Sequence, residues 1–187
     1  MVAETESGLT AVEECALVAS PFAALYPPAE KIRTIVVDNF PALGKLAAMR
    51  FLEWVQAHPG GVISLPTGKT PEHFIKWVTH LLTHWNGEEA RAELEANGID
   101  PGRVPEMRSL HFVQIDEFYP IEPSQHNSFY SYVNRFYIDG FGLDPAKALL
   151  MNCNEIGLLE GQTLASLWPA DEVDLSLRYR APSDSLE

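Results

Sequence analysis

Two short segments carry the residues best suited to chemistry. The first runs Leu65-Pro66-Thr67-Gly68-Lys69-Thr70-Pro71, between an apolar stretch and a helical pattern that starts at Pro71. Gly68 lets backbone approach a ligand closely, Thr67 and Thr70 offer hydroxyls, and Lys69 adds a positive charge. The helix that follows contributes free N–H groups and the positive end of its dipole. A phosphate group suits such a turn. The same residues equally suit a tight turn in which Thr70 caps a helix begun by Pro71. The segment is not a Walker A loop, because the earlier glycine of that motif is missing.

The second segment, Gln114-Ile115-Asp116-Glu117-Phe118-Tyr119-Pro120, sets two adjacent carboxylates at the end of an apolar run. Neighbours on a strand point to opposite faces, so Asp116 and Glu117 are not expected to share a substrate. One should face a cleft and the other the surrounding structure. A carboxylate at the rim of an apolar strand is suited to general base work. A turn or helix-capping aspartate is the structural alternative.

The elements that position these segments follow from periodicity. Ile32–Val37 (IRTIVV), Val62–Leu65 and Leu110–Ile115 (LHFVQI) read as strands, and Leu149-Leu150-Met151 as a short fourth. Helical spacing covers 39–56, where His58-Pro59-Gly60-Gly61 ends it, and resumes from Pro71 through Leu82. A charged excursion over 86–108 holds a short helix from Glu88 to Asn97, closed by Gly98. Ser128–Tyr137 reads as an aromatic-rich helix. Strands alternating with helices imply βαβ units and a parallel sheet covered on both faces, a three-layer Rossmann-like α/β fold. In such sheets ligands bind beyond the carboxyl ends of the strands, where both segments lie. Residues 1–30 form an acidic lead-in, 31–180 the α/β domain and 181–187 a tail.

Composition narrows the function classes. The chain of 187 residues is 46% hydrophobic and carries a net charge of −13, from 26 acidic and 13 basic residues. A general nucleic-acid binder needs a basic face, so nucleic acid is not an expected partner. A single phosphate remains compatible, since local backbone dipoles can capture it. Cys15 and Cys153 stand in no metal or redox spacing, and the start of the chain lacks the pattern of a secretory signal. No apolar run approaches the roughly 20 residues that span a bilayer. A cytoplasmic protein with neither membrane nor metal nor cofactor is expected. His80 and His84 form an i, i+4 pair without an HExxH pattern and read as a solvated face. Trp54, Trp77, Trp85 and the aromatic cluster at 129–137 read as packing, and Arg135 as half of a surface ion pair.

Taken together, LPTGKTP, FVQIDEFYP and HNSFYSYVNRFYID resemble the glucosamine-6-phosphate deaminase/isomerase family, over about Ile32 to Asn154. The Pro-Thr-Gly loop alone is shared with 6-phosphogluconolactonases of the same fold. The resemblance implies aldose–ketose isomerisation of an amino-sugar phosphate with release of ammonia. It assigns the substrate phosphate to Thr67, Gly68 and Thr70, with Lys69 at a position where the family has Gly. It assigns proton transfer between C1 and C2 to Asp116; the adjacent Glu117 is a further candidate catalytic residue. Residues 155–187 contain no match to the family's later Gly-x-Asp-Gly-His motif, so the chain is expected to correspond to the N-terminal half of the domain, to fall short of the family's turnover by itself and to self-associate. A lactonase-like hydrolase and a non-catalytic sugar-phosphate binder are the alternatives. Phe118, where lactonases carry Arg, favours the deaminase side.

Overall fold

The computed structural model describes residues 8–21 and 34–167. Most of the lead-in, the whole tail and the segment from 168 onward lie outside the described residues. Three short parallel strands form one sheet in the order β1 (Val62–Ile63), β2 (His111–Val113), β3 (Ala148–Leu149). The helices are α1 (Ala11–Ala19), α2 (Phe40–Ala57), α3 (Glu72–Thr83), α4 (Glu88–Ala96), α5 (Phe129–Val133) and α6 (Leu164–Leu167). A π-helical stretch, Asn134–Asp139, continues α5.

The long helices start and stop where their sequences dictate. Asn39 caps α2 by accepting the N–H of Ala42 at 2.9 Å, with a proline in the first turn. Gly98, at φ +76°, takes the left-handed turn beyond α4 that closes it. Helices α2 and α3 pack closely because Gly44 has no side chain. A Cβ there would overlap the Cβ of His73 and stand 2.8 Å from the nitrogen of Phe74. Within the segment read as a lead-in, Thr10 and Glu13 form a capping box for α1. Val12 of α1 is buried, and its N–H donates to Glu53 of α2 at 3.2 Å. The excursion after α3 folds back on this pair. Trp85 donates to the Pro101 carbonyl at 2.9 Å, Gln56 to the Asp100 carbonyl at 2.8 Å, and Lys45 meets Glu93 at 2.6 Å.

Three expectations need correction. Among residues 34–37 no strand forms; the Val36 carbonyl accepts from the Ser20 hydroxyl at 2.6 Å instead of joining a ladder. The strands are shorter than their apolar runs because side chains take over the pairing at their ends. Ser64 donates to the Val113 carbonyl at 2.7 Å, and Gln114 uses its amide to bridge the Asp116 carbonyl and the Met151 N–H. The third correction concerns layers. Ile63 and Phe112 pack into the main core with α2, α3 and the 133–143 segment, whereas Val62 is 65% and Leu149 71% exposed, with His111 exposed between them. Among the described residues the sheet is therefore covered on one face only, giving two layers rather than three. An α/β fold with a parallel sheet is observed.

Candidate functional site

All three strands are parallel, so the segments that follow them leave from the same edge of the sheet. Ile63 pairs with Phe112, which sets the 64–71 turn beside the 114–119 turn. The buried Gln114 side chain fixes that edge. Its Nε2 donates to the Asp116 carbonyl at 2.8 Å, and its Oε1 accepts the Met151 N–H at 2.9 Å. Nothing in the residue pattern singled out Gln114; a polar residue in an apolar strand was the available signal.

In the first turn, Gly68 adopts φ +90°, and a Cβ there would meet no atom within 4 Å. Glycine is thus required by conformation, and the space beside it is open. The N–H groups of Thr67, Gly68, Lys69 and Thr70 find no acceptor among the described residues. Four successive unpaired donors beside a helix N-terminus are the kind of group that an anion can engage. Thr70 does not act as the cap of α3: Pro71 occupies that position, with no side-chain hydrogen bond to the helix. Both threonine hydroxyls lack hydrogen-bond partners among the described residues, and Lys69 makes no salt bridge there, although its charge acts on Glu72. Glu72, in the first turn of α3, binds Lys76 at 2.6 Å, which holds its carboxyl below the usual range.

The second turn separates its two carboxylates, although both lie beyond the end of β2, where strand alternation no longer applies. Glu117 points into the protein and spends both oxygens on α5. Oε1 accepts the N–H of Phe118 at 2.9 Å and of Phe129 at 3.0 Å, while Oε2 accepts the N–H of Tyr130 at 2.7 Å and the hydroxyl of the buried Ser128 at 2.8 Å. A carboxylate at a helix N-terminus satisfies orphan donors and complements the dipole. Asp116 is exposed, and its carboxylate has no hydrogen bond or ion pair among the described residues. It is the free acid of the pair.

The helix capped by Glu117 also reaches the first turn. Tyr132 donates to the Gly68 carbonyl at 2.8 Å, and Tyr137 donates to the Pro66 carbonyl. Both phenols are shifted upward, Tyr132 by burial and the nearby Glu72 charge, Tyr137 by burial and Tyr132. The aromatic cluster does pack on the sheet, with Tyr137 5.8 Å from Phe112, but these two hydrogen bonds give it a second role. Arg135 lies over the Phe136 ring at 5.0 Å and, among the described residues, makes no ion pair. The 116–128 segment is further held by Cys153, whose thiol donates to the Phe118 carbonyl at 3.5 Å and is pushed up by burial. Among the described residues no group of three or more His, Cys, Asp or Glu is placed to hold a metal ion, and no helix is long and apolar enough to cross a membrane.

No family model matches the sequence, and no curated protein matches it. Among solved structures, the chain is similar to a monomeric glucosamine-6-phosphate deaminase described as a missing link of the NagB superfamily. The TM-score is 0.50 and the identity 19%, over 63% of this chain and 42% of that one. This chain thus spans less than half the length of that protein. The likeness is one of fold, and it agrees with the α/β architecture that the sequence resemblance implies.

Proposed function

We propose that the chain binds the phosphate of an amino-sugar phosphate on residues 67–70 and carries, in Asp116, the acid/base of aldose–ketose isomerisation with release of ammonia. The observation that carries this reading is the pairing of four unengaged N–H groups with an unengaged carboxylate on adjacent turns of one sheet edge. The phosphate meets the amides of Thr67, Gly68, Lys69 and Thr70, with the Lys69 ammonium as a counter-charge. Asp116, unencumbered by hydrogen bonds, takes a proton from the carbon beside the carbonyl of the open-chain sugar and returns it to the neighbouring carbon. Glu117 has no free oxygen for that task and serves by holding α5. The similarity in fold to a glucosamine-6-phosphate deaminase supports the choice of substrate class.

The test is to incubate the chain with glucosamine 6-phosphate in D₂O and follow the C2 proton by NMR. Loss of that signal at a rate that depends on Asp116 is the expected result. Binding of the sugar phosphate with no exchange above the protein-free control contradicts the catalytic half of the proposal.

A further inference from the structure

Resting on the reading of residues 67–70 as an anion cradle, we propose that Tyr132 and Tyr137 are the positioning residues of that cradle, holding two of its peptide groups so that their N–H bonds face the ligand. In a trans peptide the C=O and N–H bonds point in opposite directions. The hydroxyl of Tyr132 takes the Gly68 carbonyl at 2.8 Å, which turns the N–H of Lys69 away from α5. The hydroxyl of Tyr137 takes the Pro66 carbonyl, which does the same for the N–H of Thr67. Without these bonds either peptide is free to rotate and present a carbonyl oxygen, which repels an anion. For the Gly68–Lys69 peptide, Gly68 with no Cβ and φ +90° makes such rotation easy, so its restraint has to come from outside the turn.

The helix geometry is matched to this work. On an α-helix, residues five apart stand about 140° from one another, so Tyr132 and Tyr137 could not both serve one loop from a regular helix. The π-helical stretch Asn134–Asp139 widens the turn, and the two rings come within 6.0 Å of each other. Burial keeps both phenols protonated, hence able to donate. Glu117 anchors the N-terminus of the same helix through Phe129 and Tyr130, so one element sets both turns of the site.

The experiment is a ¹H–¹⁵N NMR titration of the whole chain with inorganic phosphate, run on wild type, Tyr132→Phe and Tyr137→Phe. Each substitution keeps the ring and removes only the hydroxyl. Tyr132→Phe is expected to weaken phosphate binding roughly five- to tenfold, the effect of one hydrogen bond. It should chiefly reduce the phosphate-induced shift of the Lys69 amide, whereas Tyr137→Phe should chiefly reduce that of Thr67. A general loosening of the fold does not produce this pairing of each hydroxyl with one amide. Both variants binding phosphate as wild type does, with Lys69 and Thr67 shifting normally, overturns the positioning role while leaving the cradle intact. A wild-type chain whose 67–70 amides ignore phosphate overturns the cradle itself. If one variant does not fold, the other decides through its own amide.

Discussion

At the scale of residues, the site divides labour by hydrogen bonding. Asp116 and Glu117 are adjacent and chemically alike, yet one carboxylate is free and the other has four donors. The two should therefore fail differently when replaced. Asp116→Asn keeps the shape but cannot accept a proton; it should slow C2 proton exchange by ~10²–10⁴-fold and leave phosphate affinity nearly unchanged. Exchange at the wild-type rate, followed by NMR in D₂O, would make Asp116 a structural residue. Glu117→Ala leaves the N–H groups of Phe129 and Tyr130 and the proton of the buried Ser128 hydroxyl without their acceptor, although Ser128 still caps the Ser131 N–H, so a loss of about 3 kcal/mol in urea unfolding is expected. A loss under about 0.5 kcal/mol, the level of an ordinary surface change, contradicts the capping role. The tyrosines add a pH signature. Burial raises both phenols above the ordinary 10.0, so the folded state keeps protons that the unfolded chain releases. Their contribution is complete below about pH 10 and is lost as pH rises beyond it. Urea midpoints should fall above that point, and less steeply in Tyr137→Phe than in wild type; equal slopes would contradict the burial argument.

At the scale of elements, what was legible in the sequence is what local chemistry decides. Asn39 with a following proline, the His58-Pro59-Gly60-Gly61 stop and Gly98 mark the ends of α2 and α4 within a residue or two, because caps and left-handed glycines act locally. The apolar run at 32–37 has the β-branched composition of a strand, but a strand also needs a partner edge, and residues 34–37 have none. Helix α1 is hard to read from the sequence because acidic residues around a single buried Val12 look like solvated chain, although Thr10 and Glu13 spell a capping box. The site was half legible. Gly68, Thr67, Thr70 and Asp116 announced themselves by type and place, whereas the tyrosine bonds to Pro66 and Gly68 join residues 71 and 64 positions apart and leave no local trace. The α2–α3 contact offers a test at this scale. Gly44→Val should destabilise the chain by ~2–3 kcal/mol, since the added methyls collide with the backbone of His73 and Phe74 rather than with a movable side-chain tip. A melting temperature within a degree or two of wild type would mean that the helices can separate at no cost.

At the scale of the whole molecule, the sheet explains both the position of the site and a surface it leaves open. Parallel strands gather their carboxyl ends on one edge, so the 64–71 turn and the turn that carries Asp116 leave the sheet side by side without any need for proximity in sequence. The opposite consequence is a sheet face with Val62 and Leu149 in solvent, whereas parallel sheets are ordinarily covered on both faces. We propose that the described chain self-associates through this face. Val62→Lys with Leu149→Lys should shift size-exclusion elution toward the monomer without altering the melting temperature; an unchanged, already monomeric profile contradicts it. The account as a whole turns on the 67–70 cradle, and calorimetric titration with glucosamine 6-phosphate tests it most directly. Wild type should bind the phosphorylated sugar, bind unphosphorylated glucosamine at least tenfold more weakly, and lose the difference in Gly68→Val, where a branched side chain cannot hold φ +90°. Equal affinity for the two sugars, or an undiminished preference in Gly68→Val, would contradict the claim that this turn is where the phosphate is held.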